Sequence, residues 1–212
     1  MFTGIVQAST EIVQLQRQPG LLTISLILPE SLRDNVELGG SIAVDGVCLT
    51  VTDFDTATGQ VSFDIMQQTL DVTTLGESVC GYRVNIERSA KANAEVGGHL
   101  VSGHVDAMAT VVRSETSDNN LQVYYQYPAA LDKYLFEKGF VALNGCSLTI
   151  AQLQRETHTL MVSYIPETLR VTTHGMKAAG SRVNIEADRQ TQAIVDTVER
   201  VLAARFADGQ LG

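Results

Sequence analysis

The sequence predicts an all-β protein with two equivalent halves, each a small barrel or sandwich, followed by a C-terminal helix. Segments of the first half return in the second: TLDVTTLG as TLRVTTHG, and RVNIE unchanged. Their starting positions, 69 and 168 or 83 and 182, differ by 99 in both cases. Turn residues interrupt β-branched and alternating runs about every ten positions, which is typical of small barrels and sandwiches.

The repeat divides the chain into residues 1–97, residues 98–187 and a tail of residues 188–212. A period of this length is the size of a small domain and too long for a solenoid unit. The boundary is in EVGGHLVSGH, where Gly97 and Gly98 permit a turn. The GxGxxG spacing of a dinucleotide-binding loop is missing there.

Apolar runs within each half predict strands and a hairpin. LLTISLILP and GQVSFDIM in the first half, with LQVYYQYP and TLMVSYIP in the second, are β-branched or alternating. SIAVDGVCLTVTDF has two apolar runs around Asp45-Gly46, the signal of a tight hairpin. RVNIE alternates Val and Ile with polar positions expected to point outward. Short helices are expected at 31–35 and 129–138.

The tail DRQTQAIVDTVERVLAARF has neither Gly nor Pro and predicts an amphipathic helix that Asp188 could cap. This helix either docks on the chain's own barrels or packs against the same helix of other subunits, and we favour the second. Its apolar face is formed by Ile194, Val195, Val198, Val201, Leu202 and Phe206.

Composition disfavours several classes of partner. With 15 Lys and Arg against 24 Asp and Glu, the formal charge of the 212-residue chain is −9, so nucleic acids and anionic membranes would be repelled. The three cysteines form no CxxC pair, which argues against a disulfide framework or a zinc ribbon. The first residues do not read as a signal peptide, and the uncharged stretches are too polar to span a bilayer. A cytoplasmic protein is expected.

Positions where the two halves differ point to chemistry. Within otherwise matching segments, the second half has a nucleophilic or titratable side chain where the first half has a different residue. We therefore expect one site to bind a ligand and the other to perform acid–base chemistry as well. The pairs are Cys48 with Ser147, Ile5 with His104, Leu75 with His174, and Ser89 with Asp188.

Several segments in combination resemble one enzyme family, the riboflavin synthases of the alpha-subunit type, which have two lumazine-binding repeats. They are MFTGIV, DGVCLT and NGCSLT, QTLDVTT and ETLRVTT, GGHLVSGH, and NIEADRQTQAIVDTVERVLAAR. The resemblance extends from Met1 to about Phe206. It implies two tandem six-stranded Greek-key barrels and a C-terminal helix that assembles a homotrimer.

The resemblance also implies a reaction. Two molecules of 6,7-dimethyl-8-ribityllumazine are dismutated to riboflavin and 5-amino-6-ribitylaminouracil, with no metal and no organic cofactor. The site lies between the N-terminal barrel of one subunit and the C-terminal barrel of a neighbour, and association with lumazine synthase is a further expectation. The alternative is a non-catalytic lumazine or flavin carrier, such as an antenna protein.

Five residues are expected to be catalytic. Ser147 would orient or activate a nucleophile, and His104 would exchange protons near neutral pH. Cys48, Thr149 and Asp188 complete the set; a small buried hydrophobe is the other interpretation of Cys48, and a helix cap that of Asp188. A structural histidine is the other interpretation of His104.

The remaining histidines are given no catalytic assignment. His99 is five positions before His104, and on a strand this odd separation argues against a shared metal site. His158 and His174 are expected at the surface or in turns.

Substrate binding is expected of matching segments in both halves. Cys48 and Thr50, like Ser147 and Thr149, alternate along predicted strands and are expected to face inward. In the first half the expected binding residues are Phe2, Gly4, Ile5, Val6, Ser41, Cys48, Leu49, Thr50, Asp64, Ile65, Met66, Gln67, Gln68 and Thr69. In the second half they are Gly103, His104, Val105, Lys138, Ser147, Leu148, Thr149, Ser163, Tyr164, Ile165, Pro166, Glu167 and Thr168.

Overall fold

The structure, a computed structural model, describes residues 1–91, 93, 95–117 and 120–207 of the chain. It consists of β-strands, short helical turns and a long C-terminal helix, as the sequence predicts. Equivalent strands begin at positions 8 and 107, 41 and 140, or 83 and 182, so the spacing of 99 holds between the halves. The predicted all-β fold is therefore confirmed.

The first half is a closed six-stranded barrel with the strand order β1-β2-β5-β4-β3-β6. Its strands are β1 (Ala8–Gln18), β2 (Leu21–Ile27), β3 (Ser41–Val44), β4 (Val47–Asp55), β5 (Gln60–Met66) and β6 (Arg83–Arg88), and α1 (Gln67–Val72) follows β5. The long strands close the barrel because each pairs with two neighbours: β1 uses residues 8–11 for β6 and residues 12–18 for β2.

The second half repeats this arrangement with one interruption. Its elements are β7 (Ala107–Ser117), β8 (Asn120–Gln126), β9 (Phe140–Leu143), β10 (Cys146–Thr149), β11 (Gln152–Gln154), β12 (Thr159–Tyr164), α2 (Pro166–Val171) and β13 (Arg182–Ala187). Strands β10 and β11 are two pieces of the equivalent of β4, at the two ends of a curled sheet. The break falls where β4 has a register shift between Val51 and Asp53.

The halves exchange their first residues. We call residues 2–6 the first crossover segment and residues 101–106 the second. Phe2 and Val101 pair through hydrogen bonds of 2.8 and 3.0 Å. Val6 is buried in the core of the second barrel, whereas Val105 packs against the core of the first. Each barrel is thus completed by a segment of the other half.

The predicted hairpin lies on the axis between the barrels. Asp45 and Gly46 have φ angles of 45° and 79°, as a tight turn between twisted strands requires. Gly46 touches its equivalent Gly145, and a Cβ atom on Gly46 would lie 2.5 Å from the Gly145 nitrogen. A side chain at this position would therefore force the barrels apart.

The polar positions of RVNIE do not point to solvent, so that expectation was wrong. Asn85 and Glu87 on β6 are buried, as are Asn184 and Glu186 on β13. The other barrel covers this face: Asn85 Nδ2 donates to the Asn144 carbonyl at 3.0 Å. The repeat places the reciprocal contact, from Asn184 Nδ2 to the carbonyl of Asp45, at 2.8 Å.

The short helices expected at 31–35 and 129–138 are present only in part. Only short 3₁₀ turns form there, at Glu30–Leu32 and Ala129–Tyr134. The chain then enters left-handed conformations at Asn35 and Lys138, with φ angles of 53° and 67°, which a continuing helix does not allow.

The C-terminal helix α3 (Arg189–Ala207) is capped by Asp188, whose Oδ2 accepts the Thr191 N–H at 2.9 Å. Its polar face docks on the second barrel, where Lys133 Nζ lies 3.0 Å from Asp196 Oδ1 and 2.6 Å from Glu199 Oε2. The opposite face, with Ile194, Val198, Val201, Leu202 and Phe206, is exposed. Within the described residues, no helix has the length and apolarity needed to cross a membrane.

Candidate active site

The polar pairs on β4 and β10 lie on the outer faces of the barrels. Leu49 is buried between the more accessible Cys48 and Thr50, and Leu148 between Ser147 and Thr149. Each pair shares a face as predicted, but the expected inward direction was wrong. The barrel interiors are filled by apolar side chains, so a ligand can meet these pairs only from outside.

Each pair is bordered by the crossover segment of the other half. The Ser147 N–H donates to the Gly4 carbonyl at 2.8 Å, and the Cys48 N–H donates to the Gly103 carbonyl at the same distance. We call the surface around Cys48 and residues 103–105 the first pocket, and that around Ser147 and residues 4–6 the second pocket.

Glycine is required where the crossover segments meet these strands. Gly4 and Gly103 have φ angles of +73° and +81°, a conformation that other residues rarely adopt. A Cβ atom on Gly4 would lie 2.5 Å from Ser147 Cβ, and one on Gly103 would lie 2.6 Å from Cys48 Cβ. The segments can therefore approach the strands closely enough to form main-chain hydrogen bonds.

Two buried carboxylates hold the crossover segments in place. Glu87 accepts hydrogen bonds from the Thr3 N–H at 2.7 Å and the Gly4 N–H at 3.1 Å. Glu186 repeats this with the Ser102 N–H at 2.8 Å and the Gly103 N–H at 3.0 Å. Burial raises the pKa of both carboxyl groups, and these donors counteract part of that shift.

A serine–histidine pair lies in the second pocket. His99 Nδ1 is 2.6 Å from Ser147 Oγ. His99 is 7% exposed, and its ring stacks on Phe140 with ring centroids 5.0 Å apart. Burial lowers the pKa of His99, and the negative charge of Asp188 offsets part of that decrease. The imidazole is therefore a neutral base next to a hydroxyl group.

Asp188 serves both the helix and this pair. Burial alone would raise the pKa of Asp188, but hydrogen bonds from Thr191 and Gln190 lower it, as does the positive charge that His99 carries when it is protonated. The carboxylate thus stays ionised, where it caps α3 and favours a proton on His99.

The first pocket has a different composition. The Cys48 side chain packs against Phe2 and Ala43 between the barrels. Ser41 is the register partner of Thr50 on the neighbouring strand. Pairing of Val51 with Phe63 brings Thr50 next to Asp64, which accepts a hydrogen bond from Thr23 at 2.7 Å. Beyond Asp64, the exposed side chains are Met66, Gln67 and Gln68, with Thr69 half-buried.

The corresponding edge of the second pocket is formed by β12 and α2. Ser163, Ile165, Pro166 and Glu167 are exposed there, with Thr168 half-buried. Arg170 binds the Glu167 carboxylate at 2.6 Å. Lys138 lies in the loop before β9, and its N–H donates to the Ile150 carbonyl at 2.8 Å.

Some expected site residues have side chains that cannot reach a ligand on the outer face. Leu49, Leu148, Ile65 and Tyr164 point into the barrel cores, and Phe2 is fully buried between the barrels. Alternation along a strand buries every second side chain, so these positions offer only main-chain groups at the pocket.

The histidines are arranged differently from expectation. His104 is exposed on the second crossover segment, next to the first pocket and not beside Ser147. His174, expected at the surface or in a turn, begins the 3₁₀ turn His174–Met176 but is buried, with Nε2 3.1 Å from the Leu143 carbonyl. His158 lies in a turn as expected, with a φ angle of 49°.

His99 was missed because the argument from strand alternation does not apply to it. Residues 97–100 precede the pairing of Val101 and form no strand. The GGH sequence was a usable signal: a Cβ atom on Gly98 would lie 2.7 Å from Ser147 Cβ, so only glycine lets His99 approach this serine. Among the described residues, no three His, Cys, Asp or Glu side chains are grouped so that they could hold a metal ion.

Comparison with known proteins agrees with this duplicated site. The lumazine binding domain model matches twice, at residues 3–89 and 102–188. Riboflavin synthase of Escherichia coli (strain K12) is 47% identical over 206 residues, which cover 97% of this chain and 95% of that protein. The chain belongs to the riboflavin synthase family. Family members of this name are transferases, and this chain is an enzyme of the same kind.

Further members of the riboflavin synthase family match at similar length. The riboflavin synthase of Chlamydia pneumoniae is 40% identical over 98% of this chain and 100% of that protein. Among solved structures, LumP complexed with riboflavin superimposes with a TM-score of 0.82 and 26% identity, covering 89% of this chain and 100% of LumP. LumP has also been solved with 6,7-dimethyl-8-(1'-D-ribityl) lumazine, with a TM-score of 0.80.

Proposed function

We propose that the chain catalyses the dismutation of 6,7-dimethyl-8-ribityllumazine. One molecule gives a four-carbon unit to a second, which yields riboflavin and 5-amino-6-ribitylaminouracil. The products together contain the atoms of the two substrates, so no other reagent is consumed. The duplication of the pocket carries this proposal, because two copies of one heterocycle need two similar sites. Fixing both reactants can contribute up to ~7–11 kcal/mol.

In the second pocket, Ser147 and His99 would handle a proton. The neutral imidazole is at hydrogen-bond distance from Ser147 Oγ and can accept its proton as the hydroxyl attacks or orients the ring. Asp188 would stabilise the imidazolium that results. Thr149 lies on the same face and would bind the ring beside Ser147.

In the first pocket, His104 would exchange protons with the other substrate. The lumazine ring can delocalise the carbanion that forms when a ring methyl group loses a proton, so a single base suffices. Cys48 and Thr50 would contact the ring from the barrel side, with Ser41 next to them.

The crossover segments and the strand ends would bind the rest of each substrate. Main-chain groups of residues 4–6 and 103–105 can pair with the edge of a flat heterocycle as an added strand does. Residues 64–69 and 163–168 would bind the ribityl chains, with Lys138 at the second pocket. We also propose that residues 1–97 and 98–187 are the two lumazine-binding barrels, and that residues 188–212 are the trimerisation helix and tail.

A homotrimer formed through α3 would bring the two kinds of pocket together between subunits. Supporting this, the docked polar face turns the apolar stripe of the helix away from its own barrel. The free state of all three cysteines supports a cytoplasmic location. Association with lumazine synthase stays a prediction.

A non-catalytic lumazine or flavin carrier is the second candidate, since LumP superimposes on the chain. A carrier needs one pocket. The Ser147–His99 pair favours an enzyme, because a hydroxyl activated by a buried base has no purpose in simple binding.

The test uses purified protein with the lumazine as sole substrate. We expect riboflavin and the pyrimidine in equal amounts, measured by absorbance and chromatography. Ser147→Ala and His99→Gln should each lower kcat by ~10²-fold or more while the affinity for riboflavin changes little. Ser114→Ala and His158→Gln are the matched controls and should keep full turnover.

Two results would contradict the proposal. Tight riboflavin binding without product in the wild-type protein would favour the carrier. Unchanged kcat in both Ser147→Ala and His99→Gln would remove the assigned role of the pair.

A further inference from the structure

The first residue of α3, Arg189, reaches back over the second crossover segment. Its Nη1 lies 3.0 Å from Asp106 Oδ1, and its Nε lies 3.2 Å from Ser102 Oγ. Its Nη2 donates to the carbonyl of His104, between these two contacts. The guanidinium therefore binds the segment at every second residue, at positions 102, 104 and 106, and fixes its path.

Neighbouring groups keep the guanidinium in this position. Gln192 Oε1 accepts from Arg189 Nη1 at 2.7 Å, and Gln192 Nε2 donates to Asp106 Oδ2 at 2.9 Å. Asp106 Oδ2 also accepts the Ala187 N–H at 2.8 Å. Because Arg has several donors in one rigid plane, it can bridge such acceptors where Lys cannot.

This contact joins helix α3 to the first pocket. Gly103, next to His104, accepts the Cys48 N–H through its carbonyl and gives its own N–H to Glu186. Arg189 thus acts one residue away from the hydrogen bond between the second crossover segment and β4. A displacement of α3 would therefore disturb the hydrogen bond of the Cys48 N–H, because only two consecutive peptide units separate it from Arg189.

The repeat supplies an internal comparison. Ala90 is the equivalent of Arg189, and Ile5 is the equivalent of His104. The methyl group of Ala90 offers no donor to the first crossover segment. A groove of about 850 Å³ lies there instead, bordered by Ile5, Gln7 and Ser89 among others. The contacts of Arg189 with the second crossover segment thus have no counterpart at the equivalent position of the first half.

We propose that Arg189 is a positioning residue that holds His104 and the Cys48 side of the first pocket in place and couples this pocket to helix α3. The catalytic part of this inference rests on the proposed function, since it assumes that His104 exchanges protons. The mechanical part does not. An assembly that binds α3 would then also set the geometry of the first pocket.

The mechanical part is tested by amide hydrogen exchange on the full chain, with Arg189→Met and Arg189→Lys. The Cys48 N–H should exchange ~10-fold faster in Arg189→Met and by an intermediate factor in Arg189→Lys. The Ser147 N–H bonds in the same way to the first crossover segment, which Arg189 does not contact, and it should keep its exchange rate. Arg113→Met, on β7, is the matched control for loss of a surface arginine.

The catalytic part is tested by steady-state kinetics. Arg189→Met should lower kcat with KM little changed, and it should lower kcat no further in a His104→Gln background. Unchanged exchange at Cys48 would overturn the proposal, and so would equal acceleration at Cys48 and Ser147, which would indicate general loosening. Faster exchange with an unchanged kcat would overturn the coupling to catalysis.

Discussion

Asp45 has a carboxyl group buried at the contact between the two barrels, where a charge is energetically unfavourable. Its Oδ1 accepts the Asn85 N–H at 2.7 Å, while Oδ2 has no hydrogen-bond partner among the described residues. Burial raises the pKa of Asp45 from its usual 3.8 to about 7, even though the Asn85 hydrogen bond and the charge of Lys177 both lower it. Between about pH 4 and pH 7 the folded state therefore retains a proton that the unfolded state releases.

We expect Asp45→Asn to stabilise the protein increasingly as the pH rises. The raised pKa means that wild-type stability from this group is full below about pH 4 and is lost up to about pH 7. The amide does not titrate, so the gain over wild type should be about 3 kcal/mol larger at pH 8 than at pH 5. Urea midpoints at the two pH values measure this difference.

The repeat offers the reciprocal variant as a control. Asn144 occupies the equivalent turn, with Oδ1 accepting the Asn184 N–H at 2.7 Å. Asn144→Asp should therefore introduce a loss of stability at high pH. Equal effects of Asp45→Asn at both pH values would show that Asp45 is not neutral in the folded protein. Taking differences between variants cancels the opposite contribution of His174, whose pKa burial lowers to about 4.

At the scale of elements, α3 has one face that docks on the second barrel and an exposed apolar face that the proposed trimer would use. Asp196 and Glu199 bind Lys133 on the second barrel, so the stripe with Ile194 and Val198 has no intramolecular use. A solvated apolar stripe of this length favours association between helices.

Val198→Asp should therefore dissociate the proposed trimer without unfolding the barrels. A buried, unpaired carboxylate opposes helix association, so the mass should approach that of one 22.9 kDa chain. Sedimentation gives the mass, and circular dichroism tests the fold. Ala203→Asp, seven residues after Asp196 and so on the docking side, is the control and should keep the trimer. A wild-type protein that sediments as a monomer would disprove the role of α3.

The elements were largely predictable, because periodicity and a repeat report local structure. The hairpin at Asp45-Gly46, the strand runs and the helix after Asp188 were predicted from such patterns. The outward direction of Cys48 and Ser147 was not, since alternation defines two faces without saying which one is inside. The exchange of residues 2–6 and 101–106 between the barrels was missed because neither segment is a strand of its own barrel.

The site was predictable to a similar extent. Ser147 and Asp188 could be found because the repeat places different side chains at their equivalents. The partner of Ser147 could not, since His99 reaches it through tertiary packing alone and spacing along the chain does not report it.

At the scale of the whole molecule, the two barrels depend on close contact at the axis between them. Gly46→Ala should destabilise the chain through two effects: the left-handed conformation, worth about 1–2 kcal/mol, and a contact with the Gly145 main chain. Gly81→Ala has the first effect alone, because its φ is +85° and a Cβ atom there meets nothing within 4 Å. Urea unfolding should show a clearly larger loss for Gly46→Ala. Equal losses would show that the two barrels can move apart at Gly46 and Gly145 without further loss of stability.

The hydrogen bonds between Phe2 and Val101 join a position to its own equivalent, as happens where two identical chains meet at a twofold axis. Because both partners belong to one chain, this pairing does not depend on protein concentration. Unlike a dimer of identical chains, it also allows the two pockets to differ, with the Cys48 thiol in one and the Ser147 hydroxyl beside His99 in the other.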